Sequence, residues 1–521
     1  MNGAEALIQT LANCDVEVCF ANPGTSEMQL VAAIDKQDGM RAVLGLFEGV
    51  VTGAADGYAR MADKPAATLL HLGPGFANGM ANIHNAKRAF APMVNIVGDH
   101  AVHHLEYDAP LTSDLNSVVA PMSDWVRCSK SPQDLALAGQ EAVFEALTYP
   151  GKIATMIAPA DHAWKDGAEP IAQQTPQTTP IASQDLIDQA VKALKTSSPS
   201  TLYLGARALR KEALFQAGRI QAATGARLIC ETFPARLERG VGRVTVERLP
   251  YFGEMAADYL KDFKHIIIVG SKPPVSFFAY PNKPSWLCPE DAEIVELADQ
   301  RIDALDALTR LADALDAPKD PANLQTPFTP PFQPGELNPM NMGGVIAKNI
   351  PENAIISDEA ATSGLAVFPC TMGAPAHDWI TLTGGAIGQG LPVAAGAAIA
   401  CPHRKVLALQ ADGSAMYTVQ ALWTIARENL DVTTIIMNNG SYAILNIELK
   451  RVGVENAGSK ALSLLDLTNP VIDWVSISEG MGVPAVKVKT TDELDSALKE
   501  AIQHKGPRLI EAITAPLTLP A

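Results

Sequence analysis

Cysteine pairs, excess positive charge and long apolar runs are all missing from this sequence, and each absence narrows what the chain can be. Its seven cysteines are scattered, odd in number and form no CxxC pair. That pattern excludes a disulfide framework and a zinc site, and fits reduced thiols in a cytoplasmic protein. No uninterrupted apolar stretch reaches the roughly 18 residues that a membrane span needs. The opening MNGAEALIQTLANCD carries acid instead of base and has no apolar core, so no signal peptide is expected. Lys and Arg number 40 against 57 Asp and Glu, a net charge of −17, which disfavours nucleic acid or an anionic membrane as partner. A buried anionic cofactor is untouched by that argument, because it feels local charge. The phosphate-binding run GxxxxGK[ST] is absent too, which weakens the case for a generic nucleotide-binding protein.

What is present is a chain of 521 residues, enough for about three domains of roughly 100–200 residues each. Two Pro/Gln/Thr-rich stretches, 170–180 (PIAQQTPQTTP) and 318–334 (PKDPANLQTPFTPPFQP), lack periodic apolar residues and read as linkers. They divide the chain into blocks 1–168, 184–316 and 336–521. Short β-branched runs alternate with amphipathic ones in every block. Strands are expected over 16–20, 42–47, 67–71 and 94–97, over 201–204 and 266–269, and over 354–357, 406–409 and 433–437. Continuous apolar strands in strand–helix–strand order imply parallel sheets covered on both faces. The predicted fold class is α/β, with three doubly wound parallel-sheet domains in series.

The stretch KVLALQADGSAMYTVQALWTIARENLDVTTIIMNNGSY carries the chemistry. A strand over 405–410 ends on Ala411-Asp412-Gly413-Ser414, a helix with apolar Met416, Val419, Leu422, Trp423 and Ala426 follows, and a second strand ends on Asn438-Asn439-Gly440. A right-handed crossover makes these strands parallel and brings Asp412 and Asn439 to the same carboxyl edge, where open α/β sheets bind ligands. A carboxylate, an amide oxygen and a nearby main-chain carbonyl suit Mg²⁺, which takes its remaining oxygens from phosphate and water. Gly413 allows close backbone approach, and the helix opened by Ser414 can hold phosphate oxygens. Either tripeptide alone would read as a helix cap and a turn.

Together they resemble the signature of thiamine-diphosphate enzymes, in particular the 2-oxo acid decarboxylase and acetolactate synthase branch, over essentially the whole length. The resemblance implies a pyrimidine-binding domain (1–168), a central domain (184–316) and a diphosphate domain (336–521). It also implies that Asp412, Asn439 and the carbonyl of Ser441 bind Mg²⁺, with Gly413, Ser414 and Tyr442 beside the cofactor. One departure is that Ala411 stands where the family usually has glycine. Leu46-Phe47-Glu48 and the following GVVTGAADGYAR resemble the family's glutamate segment, so Glu48 would bind the aminopyrimidine and assist proton removal. At a strand end after an apolar run, Glu48 should be poorly solvated. In Gly384-Gly385-Ala386-Ile387-Gly388-Gln389-Gly390, Ile387 would prop the cofactor in its bent shape and the Gly385 carbonyl would accept from its amino group. Thr362, in Glu359-Ala360-Ala361-Thr362-Ser363, would touch the diphosphate. Because the family's glutamate and metal motif come from different subunits, a homodimer or homotetramer with interfacial sites is implied.

For the reaction, Thr25 in Asn22-Pro23-Gly24-Thr25 and His71 in His71-Leu72-Gly73-Pro74-Gly75 are similar to substrate-contacting positions of benzoylformate decarboxylase. Gly73 to Asn78 and Val97-Gly98-Asp99 are closer to acetolactate synthase. Ile444, Leu445 and Glu448 would line the substrate pocket, and Phe278 stands where benzoylformate decarboxylase has a histidine. The expected activity is decarboxylation of a 2-oxo acid with carboligation of the acetolactate type. The alternatives are aldehyde release of the benzoylformate decarboxylase type, and a non-catalytic thiamine-fold subunit. Gly205-Ala206-Arg207 after strand 201–204 is not a dinucleotide fingerprint, so FAD is not expected. His100, His103 and His104 receive no role.

Overall fold

The computed structural model describes residues 1–175, 177–454 and 456–517. Three sheets follow one another along the chain, each wrapped by helices. The first has the spatial order Arg41–Leu44, Val18–Asn22, Ala66–Leu70, Met93–Asp99, Ile153–Pro159, Trp125–Cys128, all parallel. Every residue of three of its four inner strands, Ala66–Leu70, Met93–Asp99 and Ile153–Pro159, is buried, as continuous apolar strands covered on both faces must be. The second sheet runs Glu247–Arg248, Arg227–Cys230, Ser200–Leu204, His265–Val269, Glu293–Ala298, again parallel. The third holds Ala485–Val488, Arg508–Ile513, Val432–Asn438, Val406–Ala411, Ile355–Glu359 and His377–Thr381 in parallel.

One strand breaks the expected serial order. Leu237–Arg239, from the middle segment, pairs antiparallel with His377–Thr381 and closes the edge of the third sheet. Three residues show no alternation that a pattern reading could detect, and the pairing is set by tertiary contact. Arg239 stacks its guanidinium 3.8 Å from the centre of the Phe368 ring, which clamps this strand to the third domain. The two Pro-rich stretches contain no helix or strand among the described residues, yet they lie against the domains. Ile171 donates its N–H to Thr10 Oγ1 at 2.9 Å, and Gln325 pairs with the Arg243 carbonyl at 2.8 Å.

The first and third domains meet across two helices built for close approach. Helix Glu48–Ala62 crosses helix Gly390–Ala400, whose residues 390–399 are all buried. A Cβ on Gly396 would lie 1.8 Å from the Ala54 carbonyl oxygen, and one on Gly57 would lie 2.1 Å from that of Val393. Glycine at these two points lets the backbones touch, and larger residues would force the domains apart. The buried pair Asp56–Arg60 joins them further, since Arg60 Nη1 donates to the Thr381 carbonyl at 2.9 Å.

The helix expected after Ser414 is instead two short pieces, Asp412–Ala415 and Ala421–Arg427, joined by a 3₁₀ turn at Met416–Thr418. The tertiary contact explains the break: Thr418 Oγ1 donates to the Gly388 carbonyl at 2.8 Å, and Tyr417 packs on Gly388. Among the described residues no helix is long and apolar enough to cross a membrane.

Candidate active site

At the carboxyl edge of the third sheet, strands Val406–Ala411 and Val432–Asn438 are neighbours in register. Asp412 follows the first and Asn439 the second, so the expected juxtaposition is present. Asp412 is 1% exposed; its Oδ2 accepts from the Gly440 N–H at 2.9 Å, and its Oδ1 is buried without a partner. Burial pushes its carboxyl up to about 6, against the main-chain N–H groups that favour the charged form. An orphaned, buried carboxylate oxygen is costly unless something else satisfies it. Asn439 turns Oδ1 to the Ser441 N–H at 2.9 Å, which leaves a second lone pair, and donates Nδ2 to Ser363 Oγ at 2.9 Å. Asn438 donates Nδ2 to the buried Glu511 at 2.8 Å while its Oδ1 shares the Gly440 N–H at 3.1 Å, so it braces the turn from the sheet side. All the available donors are hard oxygens, and the set fits Mg²⁺.

The surroundings suit a diphosphate. A Cβ on Gly413 would lie 2.4 Å from the Tyr442 ring, so glycine there gives Tyr442 its place. Ser414 is buried, with its hydroxyl 3.1 Å from the Ala411 carbonyl. Thr362 is half-buried in the turn after strand Ile355–Glu359, next to the Ser363 that holds Asn439.

Glu359, which sequence reading passed over, organises the adjoining glycine turn. Its buried carboxylate accepts three main-chain N–H groups, from Gly388 at 2.6 Å, Gln389 at 3.2 Å and Gly390 at 2.7 Å. Burial raises this carboxyl to about 7 despite those bonds. The turn thereby presents half-buried Ile387 and, at a φ of +76°, Gly385. Phe277 of the middle domain packs on Gly385, where a Cβ would meet its ring at 2.5 Å. Helix Leu72–Arg88 of the first domain holds the same turn, with Asn85 Nδ2 donating to the Ala386 carbonyl at 2.8 Å.

Glu48 is the first residue of its helix and 9% exposed, poorly solvated as expected, although the strand expected to run into it ends at Leu44. Its Oε2 accepts from Asn78 Nδ2 at 2.9 Å. His71 follows strand Ala66–Leu70 and caps the start of helix Leu72–Arg88. A Cβ placed on Gly75 would be 3.3 Å from Glu48 Oε1 and 3.4 Å from His71 Cβ, so the two side chains border one space. Of the loop hydroxyls, Ser26 approaches His71, at 3.4 Å, while Thr25, expected to contact substrate, is exposed. The buried Glu27 between them, another residue missed from sequence, bonds His71 Nδ1 at 2.8 Å. Its polar surroundings in ANPGTSE gave no signal of burial.

Of the three proposed pocket residues on helix Ala443–Arg451, Glu448 lines a cleft with Tyr251, Phe252, Phe277, Tyr280 and Arg451. Ile444 is half-buried and Leu445 is 46% exposed, and neither lines that cleft. Phe278 is exposed beside Phe277, ring centres 5.0 Å apart. The rings of His100 and His104 lie 5.4 Å apart, tilted 60° to each other, and His100 Nε2 is buried without a partner; nothing in the structure explains it.

Family models for the thiamine pyrophosphate enzyme N-terminal and C-terminal TPP binding domains match residues 1–118 and 365–512. A Mycobacterium tuberculosis protein named for acetolactate synthase large subunits is 51% identical over 99% of this chain and 100% of its own length. Benzoylformate decarboxylase of Pseudomonas aeruginosa is 29% identical, covering 95% of each chain. Among solved structures, a thiamine diphosphate-dependent 4-hydroxybenzoylformate decarboxylase from Rhodococcus jostii superposes with a TM-score of 0.87 at 24% identity, covering 99% of both chains. The benzoylformate decarboxylase of Polynucleobacter necessarius gives 0.88 at 22%, covering 100% of both. These structural likenesses show the fold.

Proposed function

The chain belongs to the thiamine pyrophosphate-dependent enzymes, and from that premise we propose that it decarboxylates a 2-oxo acid with Mg²⁺ and releases the product as an aldehyde. The observation that carries this reading is the His71–Glu27 pair on the space bordered by Glu48. When bound, thiamine diphosphate would provide a carbon nucleophile for the 2-oxo carbonyl and an electron sink for the pair left by CO₂. The chain would do the rest. Asp412, Asn439 and the Ser441 carbonyl would hold Mg²⁺, with Gly413, Ser414, Tyr442 and Thr362 around the diphosphate. Glu48 would hold the aminopyrimidine, the Gly385 carbonyl would accept a hydrogen bond from its amino group, and Ile387 would pack against the cofactor. His71 would deliver the proton that ends the reaction as aldehyde.

Carboligation of the acetolactate type is the second reading, supported by the relative at 51% identity and its name. The local likenesses that first suggested it favour neither outcome. Asn78 serves Glu48, and Gly98 makes room for Glu27, where a Cβ would come within 1.7 Å of Oε1. A non-catalytic subunit is disfavoured because Glu48, Asp412 and Asn439 are all present and placed. A homodimer or homotetramer is part of the same reading, because the family's glutamate and metal motif come from different subunits. We read the middle domain as free of flavin, since the Gly205 loop is filled by its own neighbours, Gly270 and the half-buried Glu231. The seven cysteines, all unpaired, fit the reducing cytoplasm.

The test is product analysis by proton NMR after incubation with thiamine diphosphate, Mg²⁺ and either benzoylformate or pyruvate. Aldehyde equal to the acid consumed supports the first reading. Acetolactate from pyruvate as the main product establishes the second.

A further inference from the structure

Glu27 carries a burden that the proposed chemistry has not yet explained. It is fully buried, yet its carboxylate gathers three polar groups from separate places. The Gly24 N–H donates to Oε2 at 2.7 Å, the Ser26 hydroxyl donates to Oε1 at 2.8 Å, and His71 Nδ1 lies 2.8 Å from Oε2. With the first two groups donating, the carboxylate acts as an acceptor throughout, so the His71 proton belongs on Nδ1.

Three further features fix the imidazole. The ring rests on Gly24, where a Cβ would fall 2.1 Å from Nδ1. Leu72, the next residue, holds a φ of +48°, a left-handed conformation that is costly for a branched side chain and persists only where the surroundings enforce it. Gly98 lies against Glu27 and admits no side chain, because its Cβ would sit 1.7 Å from Oε1. A buried acceptor, a bare glycine behind it and a strained backbone step all bear on the orientation of one ring.

We propose that Glu27 is a positioning residue: it accepts the Nδ1 proton of His71 and leaves Nε2 as the ring atom that meets substrate. The part concerning substrate rests on the reading of His71 given above; the tautomer does not. A neutral imidazole in water prefers its proton on Nε2, so the protein must pay to hold the other form, and the ionic acceptor is what does so.

The test uses the full chain labelled with nitrogen-15 histidine. His71 is assigned by the signals lost in His71→Asn, and its tautomer is read from the coupling of each ring nitrogen to the ring protons, with and without thiamine diphosphate and Mg²⁺. The expected result is a single Nδ1-protonated form in the wild type. Glu27→Ala and Gly98→Ala, the second of which displaces the carboxylate without removing its charge, should both shift His71 toward the Nε2-protonated form. Both should lower kcat for benzoylformate roughly 100-fold with KM little changed, and Glu27→Ala combined with His71→Ala should cost no more than the larger single loss. An Nε2-protonated ring in the wild type, or an unchanged tautomer in either folded variant, overturns the proposal. If instead His71→Ala keeps full turnover while the tautomer behaves as stated, the positioning stands and the catalytic reading of His71 falls.

Discussion

Replacing Asp412 with asparagine separates the cost of its charge from its use. In the metal-free protein this carboxyl is 1% exposed and burial raises it from 3.8 to about 6. The raised value means that the folded state holds the proton more tightly than the unfolded state does. The stability so gained is fully present below pH 3.8 and is lost as pH rises through about 6. The shift corresponds to roughly 3 kcal/mol. At about pH 8, metal-free Asp412→Asn should therefore be as stable as the wild type or more so, by up to that amount, in urea unfolding. Binding should show the reverse. Mg²⁺ must displace the proton below the carboxyl's midpoint, so affinity should fall roughly tenfold from about pH 8 to about pH 5 in the wild type. Manganese binding read by electron paramagnetic resonance, with metal alone, avoids the titration of the diphosphate. Wild-type affinity that is flat across that range, or an Asp412→Asn variant that binds metal as well as the wild type, would refute the reasoning.

Glu359→Gln should cost about 2–4 kcal/mol in urea unfolding, because its new NH₂ would face a main-chain N–H of the Gly388–Gly390 turn. The sign with pH follows from its raised carboxyl: stability from this group is lost as pH rises through about 7 in the wild type and shows no such loss in the variant. Gly396→Ala should destabilise by about 3 kcal/mol or more, since the methyl would lie 1.8 Å from the Ala54 carbonyl oxygen; a folded variant of wild-type stability would show that the two helices part easily. Mixing inactive Glu48→Gln with inactive Asp412→Asn, unfolded and refolded together, should restore about a quarter of wild-type activity, as one intact site in each mixed dimer requires. No recovery would argue for sites complete within one chain.

A strand lies at each of the nine expected places, but the bounds move: 16–20 becomes Val18–Asn22, and the strand expected over 42–47 stops at Leu44. Buried parallel strands announce themselves by unbroken apolar runs, and the linkers by their prolines. The meeting of Asp412 and Asn439 at one sheet edge was legible because each follows such a strand. Glu27 and Glu359 were not legible, because what distinguishes them is distant in sequence: His71 for one, the Gly388 turn for the other. Local polarity makes both look like surface or cap residues. The short edge strand Leu237–Arg239 and the break at Met416–Thr418 were hidden for the same reason, being set by contact with another domain or turn.

The central claim is tested most directly by adding 2-oxo acids to the purified protein and counting the CO₂ released. The account predicts one CO₂ per acid consumed, only with thiamine diphosphate and Mg²⁺ both present. It also predicts a Glu48→Gln variant that still binds the cofactor by calorimetry but releases CO₂ at least about 100-fold more slowly. A wild-type protein that binds thiamine diphosphate and Mg²⁺ yet consumes neither benzoylformate nor pyruvate nor any other 2-oxo acid would contradict it.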